Sequence, residues 1–127
     1  MAEAIFNSLT DSNNYKAYSC GLYGDGSSAI SNNAKLVLEE IGIQSSHIST
    51  PISETLIKDA DIVIGMTSGH AHSIISAFPS YADKIYTMPI DISDPFGGNI
   101  DIYRHCRNEI AESVRKIINS LAGEEND

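Results

Sequence analysis

The run Asp61-Ile62-Val63-Ile64-Gly65-Met66 restricts the fold more than any other stretch of this 127-residue chain. Its continuous apolar, β-branched character is the pattern of a parallel strand buried on both faces. Thr67 or Ser68 then opens a helix that carries Ile74, Ile75 and Phe78 and ends at Pro79. Lys84-Ile85-Tyr86-Thr87 follows as a last short strand. Strand, helix, strand is the unit of a sheet covered by helices, so an α/β architecture is expected.

The rest of the chain extends that alternation. Ala2 to Leu9 reads as a helix with Ile5, Phe6 and Leu9 on one face, although no Ser, Thr, Asp or Asn stands before it as a cap. Lys16 to Cys20 reads as a short strand, followed by the glycine-rich Gly21 to Gly26. Those glycines lack the spacing and strand–helix context of a dinucleotide fingerprint. Ser31 caps a helix running to Ile41, with Ala34, Val37, Leu38 and Ile41 facing inward and Gly42 as the stop. Thr50 and Pro51 fit the cap and first position of another helix. The final helix, from about Asp101 to Leu121, carries Tyr103, Cys106, Ile110, Val114, Ile117, Ile118 and Leu121 at three- and four-residue spacings. One domain over residues 1–122 is expected, with Gly123 to Asp127 as an acidic tail. An α/β chain usually opens on a strand, and this one opens on a helix.

Charge and cysteine content exclude several classes of function. The formal net charge is −9, and the three arginines all lie in the last quarter of the chain. Binding to nucleic acid or an anionic membrane needs clustered cations, so neither partner is expected. Cys20 and Cys106 are too few and too far apart for a disulfide scaffold or a zinc site, which points to a reducing compartment and no metal. No apolar run approaches the length of a membrane span, and Met1-Ala2-Glu3 lacks the basic start of a signal peptide. The expectation is a cytoplasmic domain without cofactor.

The stretch with the most distinctive chemistry is Asp94-Pro95-Phe96-Gly97-Gly98. Proline holds Asp94 away from the helical region, and the glycines allow a sharp turn after Phe96. By itself the pentapeptide reads better as a plain turn. An aspartic acid in such a loop can protonate a leaving group, but only beside a nucleophile and an anion site. A thiolate that attacks phosphorus needs a phosphate-cradling loop, with the signature Cys, five residues, then Arg. Six residues beyond Cys20 stands Gly26, and six beyond Cys106 stands Glu112, so both cysteines read as small apolar residues. His70 and His72 are two apart and make a poor metal pair on a helix, His105 lies off the apolar stripe, and His47 reads as a loop residue. Arg104 and Arg107, one turn apart, are open to a phosphate-binding reading or to a solvated-charge reading.

The order of segments resembles the low-molecular-weight protein phosphatases over nearly the whole chain. The resemblance is carried by Met1 to Phe6, Ser19-Cys20-Gly21-Leu22, Ser46-His47-Ile48-Ser49, Ala60 to Thr67, and Asp94 to Gly98. It implies a phosphotyrosine or phosphoarginine phosphatase acting on a phosphorylated protein, with a Cys nucleophile and Asp94 as general acid and then base. It further implies that Phe96 walls the substrate side chain and that Ser19 and His47 help brace the phosphate loop. The fold it implies is a parallel sheet flanked by helices. In that family a central first strand and a Cys-x5-Arg loop precede the residues matched by Met1 to Ala4. Both are absent from this chain, so it is expected to be inactive as written.

Three readings follow. A shortened reading of a phosphatase gene, begun at an internal Met or after a misread selenocysteine codon, accounts for the uncapped helix and the missing strand together. A non-catalytic binding or assembly module on the same scaffold is the alternative. An arsenate reductase would need a redox cysteine pair beside the nucleophile, which Cys20 and Cys106 do not supply locally.

Overall fold

The computed structural model describes residues 1–10, 14–21, 31–44, 50–95 and 97–126. In order they form α1 (Ala2–Leu9), α2 (Asn32–Glu39), α3 (Glu54–Asp59), β1 (Val63–Gly65), α4 (Ser68–Ala77), a 3-10 helix (Pro79–Lys84), β2 (Ile85–Thr87) and α5 (Ile100–Asn126). Strands β1 and β2 pair in parallel, Val63 opposite Ile85 and Gly65 opposite Thr87. The alternation of strand and helix is therefore present, and the sheet is parallel.

Apolar cores lie on both sides of this sheet. On one side Ile57, Ala71, Ile74 and Ile85 bury together, with Val63 packed against them. On the other, Ile5, Leu38, Met88, Ile92, Cys106, Ile110 and Val114 form the larger cluster, with Ile64 and Met66 at its margin. The alternating side chains of β1 thus serve the two cores in turn. Gly65 is the point of closest approach between layers: a Cβ there would stand 2.6 Å from the Ala71 amide nitrogen. Only glycine lets α4 lie this close to the strand.

Local signals set most helix ends where expected. The Ser31 hydroxyl accepts from the Ala34 amide at 3.3 Å, and the Thr67 hydroxyl accepts from the His70 amide at 3.1 Å. Gly42 closes α2 at φ 80, with its amide donating to the Glu39 carbonyl at 3.0 Å. Met1 heads α1 without a side-chain cap.

Several expectations are corrected. Residues 16–20 form no strand; Gly21 alone pairs, in a single parallel bridge to Pro51. The backbone of this segment is bonded to side chains of α1 instead, the Asn7 carboxamide exchanging two hydrogen bonds with Ala17 at 2.8 and 3.0 Å. Thr50 and Pro51 do not start a helix, because the Gly21 amide donates to the Thr50 carbonyl and the Ile52 amide donates to the Gly21 carbonyl. The start moves to Ser53, whose hydroxyl accepts from the Leu56 amide at 3.3 Å. Ile62 is exposed and Val63 and Ile64 only half-buried, since β1 has a strand partner on one edge alone among the described residues. Pro79 ends α4 but also begins the 3-10 helix, and α5 continues past Leu121 and Gly123 to Asn126.

Candidate active site

Asp94 is exposed in the loop between β2 and α5. The chain reaches it under firm guidance. Beyond β2 the Met88 amide donates to the Gly65 carbonyl at 3.0 Å, and the Ile92 amide donates to the Met66 carbonyl at 2.9 Å. The Met88 and Ile92 side chains are buried in the larger core. Between them the Asp91 carboxylate accepts from the Ser68 amide at 3.0 Å and from its hydroxyl at 3.3 Å, so the first turn of α4 is tied to the same loop. An acceptor at a helix start satisfies a donor that the helix itself leaves unpaired.

The far side of the loop is held by α5. The Cys106 thiol donates to the Ser93 carbonyl at 3.7 Å, one residue before Asp94. After Pro95 the Gly98 amide closes a turn on the Pro95 carbonyl at 2.8 Å, with Gly97 at φ 81. A Cβ on Gly98 would meet the Pro95 carbonyl oxygen at 2.9 Å and the Ile102 side chain at the same distance. The two glycines thus serve different ends, the first to reverse the backbone and the second to avoid a clash. The Asn99 side chain then caps α5, accepting from the Ile102 amide at 3.0 Å.

The N-terminal end of α1 comes to the same place. The Cys106 thiol is pushed up chiefly by burial, then by the Glu109 and Asp94 carboxylates. Met1 and Ala2 pack against the core cluster that contains Cys106 and Ile92, so the start of α1 and the loop that leads to Asp94 share that core. A helix N-terminus carries a partial positive charge, which makes this corner suited to an anion.

Neither cysteine is an activated nucleophile. Burial holds Cys106 as a neutral thiol, and the Cys20 thiol is pushed up by local burial although the residue as a whole is exposed. Attack on phosphorus requires the thiolate, so the chemistry agrees with the missing Cys-x5-Arg spacing.

Arg104 and Arg107 are committed elsewhere. Both guanidinium groups meet the Glu40 carboxylate at 2.7 Å, and Arg104 also reaches Asp101 at 2.7 Å. Arg107 further donates to the Val37 carbonyl at 2.9 Å, at the end of α2. The pair fastens α2 to α5 rather than awaiting phosphate. Glu40 is held below the usual carboxylate range, first by the Arg104 hydrogen bond, and Arg104 is pushed further up by Glu40 and then Asp101.

Of the other residues read from sequence, Ser19 lies at the first turn of α1, where its amide and hydroxyl donate to one Glu3 oxygen at 2.8 and 2.9 Å. His47 and Phe96 fall outside the described residues. Glu3, Asn7 and Asp91 were not singled out from sequence. The spacing of Glu3 and Asn7, one turn apart on a helix whose other residues except Ser8 are apolar, was the available signal; Asp91 offered none. Among the described residues no cluster of His, Cys, Asp or Glu could hold a metal, and no helix is long and apolar enough to cross a membrane.

Residues 1–127 match the family described as low molecular weight phosphotyrosine protein phosphatase. The chain belongs to this family. A protein-arginine-phosphatase of Bacillus subtilis is 35% identical over 130 residues, covering 95% of this chain and 87% of the relative. A protein-arginine-phosphatase of Geobacillus stearothermophilus is 36% identical over 114 residues, covering 84% of this chain and 77% of the relative. Among solved structures, the YwlE arginine phosphatase from Geobacillus stearothermophilus superposes with TM-score 0.89 at 32% identity, over 98% of this chain and 84% of that one. A low molecular weight protein tyrosine phosphatase from T. tengcongensis gives TM-score 0.88 at 32% identity, over 94% and 88% of the two chains. The parallel sheet and its flanking helices are thus those of low molecular weight phosphatases.

Proposed function

We propose that this chain carries the acid–base side of a protein-phosphatase active site, and that the substrate is phosphoarginine in proteins. The observation that carries the reading is the position of Asp94, exposed on a loop pinned by Cys106 and Ile92, whose core cluster also receives Met1 and Ala2 from the N-terminal end of α1. The choice of phosphoarginine over phosphotyrosine is supported by the two curated protein-arginine-phosphatases, which cover 95% and 84% of the chain, whereas a curated protein-tyrosine-phosphatase of Staphylococcus epidermidis aligns over 46% of it; the solved tyrosine phosphatase from T. tengcongensis, at 94% coverage, makes the side-by-side assay of both substrates the deciding one.

In this reading a thiolate forms a bond to phosphorus as the bond from phosphorus to the guanidine nitrogen breaks. Asp94, protonated, gives its proton to the departing nitrogen. Water then attacks the thiophosphate, Asp94 as carboxylate takes the water's proton, the sulfur–phosphorus bond breaks and phosphate leaves. Covalent capture is in keeping with a mutant of the YwlE arginine phosphatase that carries a phosphorylated active-site serine, 34% identical to this chain.

The attacking thiolate cannot be Cys20 or Cys106, which lack both the spacing and the activation. We therefore place the nucleophile and its phosphate loop in a segment outside these 127 residues, arriving at the N-terminal end of α1. Phe96, Ser19 and His47 retain the substrate-wall and loop-bracing roles proposed for them.

The deciding experiment joins the chain to any upstream codons of its reading frame and assays a phosphoarginine protein and an aryl phosphate side by side. Preferential release of phosphate from phosphoarginine, reduced roughly 100- to 10,000-fold by Asp94→Asn, is the expected outcome. An upstream frame without a Cys-x5-Arg segment, or turnover by the 127-residue chain itself that depends on Asp94, overturns the reading.

A further inference from the structure

The opposite end of α1 borders a second feature, unconnected with Asp94. Leu9, Ile41 and Ile43 wall a cavity of about 500 Å³ over a floor of Ile5 and Ala111, with Arg115 on its rim. That volume lies within the roughly 300–1,000 Å³ of small-molecule sites. Leu9 and Ile41 keep 43% and 46% of their surface exposed, an open apolar wall on either side of a buried floor.

The rim carries one uncompensated charge. Arg104 and Arg107 are neutralised by Glu40, whereas Arg115 has no ion pair or hydrogen bond among the described residues. Glu112, on the same rim, is drawn to Lys116 at 3.7 Å. In a chain of net charge −9, a lone guanidinium above an apolar slot selects for an anion with an apolar body. Guanidinium groups bind carboxylates through two parallel hydrogen bonds, and the apolar walls gain by covering what is now exposed.

We propose that this groove between α1 and α5 is a binding site for small carboxylates with an extended apolar body, its carboxylate on Arg115 and its tail between Leu9 and Ile41. The site stands apart from the phosphatase reading and from its loop.

The probe is decanoate, titrated below its micellar concentration into the 15N-labelled chain and followed by amide shifts. Saturable shifts centred on Leu9, Ile41, Ala111 and Arg115 are expected, weakened about tenfold or more by Arg115→Gln. Ile41→Glu, which puts a like charge beside the slot, should abolish them, and a decyl trimethylammonium ion should bind far more weakly than decanoate. All three changed residues or probes leave the buried floor intact. Absence of saturable binding, shifts spread over other surfaces, or equal affinity in the Arg115→Gln protein overturns the proposal.

Discussion

The Cys106 thiol meets the Ser93 carbonyl at 3.7 Å, so the second turn of α5 holds the residue that precedes Asp94. A thiol is a weak donor, and its value here is mostly packing: Cys106 lies in the larger core with Ile5, Ile92 and Ile110. The acid loop is therefore positioned by burial of its neighbours, while Asp94 itself stays at the surface.

Thiol labelling tests that arrangement directly. Cys20 is exposed and Cys106 buried. One equivalent of an aromatic disulfide reagent should react with the native chain and a second only after denaturant is added. Because both thiols are pushed up, labelling of Cys20 should be slow at neutral pH and accelerate above it. Two equivalents reacting at once would mean that Cys106 is not buried against Ile5 and Ile92 in the larger core.

Gly65→Ala should be the most damaging added methyl group among the described glycines. The new Cβ would stand 2.6 Å from the Ala71 nitrogen and 3.0 Å from its Cα, both backbone atoms that cannot rotate aside. Overpacking of this kind costs about 1–3 kcal/mol, and a backbone obstacle belongs at the upper end. Urea denaturation would report it as a lower midpoint with unchanged slope.

Asp91→Ala removes the acceptor for the Ser68 amide and hydroxyl at the start of α4. Loss of such a cap costs about 1 kcal/mol. Hydrogen exchange should quicken at the Ser68 amide and through the first turn of α4, with the core amides of α5 unaffected. An unchanged Ser68 protection factor would rule out the contact.

Glu40 provides the pH dependence. Its folded pKa is depressed by Arg104 and Arg107, so the unfolded chain binds a proton more readily than the folded one at mildly acid pH. Its contribution is complete above the ordinary carboxylate pKa and disappears as pH falls through the depressed folded value. Glu40→Gln should flatten the acid limb of the stability profile, with no effect on the profile above neutral pH. Since the carboxylate is solvent-screened, added salt should blunt the difference between the two proteins.

Asn7→Ala should free Ala17 without unfolding the core, while Ser19 stays bonded to Glu3. The Asn7 carboxamide makes two hydrogen bonds to Ala17, the bonds that a neighbouring strand would otherwise offer. The Ala17 amide should then exchange freely while those of α1 and α5 remain protected.

What the sequence by itself determined was local. The caps at Ser31 and Thr67, the stop at Gly42, and the buried stripe of Tyr103, Cys106, Ile110 and Val114 each depend on residues within one or two turns of one another. The turn after Asp94 was legible for the same reason, since Pro95 restricts the backbone before it and Gly97 permits the positive φ that reverses the chain. Tertiary structure decided whatever rested on a distant partner. Thr50 and Pro51 had a good helix start to offer and lost it to the pairing with Gly21. Residues 16–20 had a strand's composition, but a strand needs a neighbouring backbone, and Asn7 and Glu3 side chains took its place. Arg104 was open to either reading until the fold brought Glu40, 64 positions away, within 2.7 Å. Backbone propensity is settled within a turn, whereas hydrogen-bond and charge partners are settled by whichever donor and acceptor the packed chain brings together.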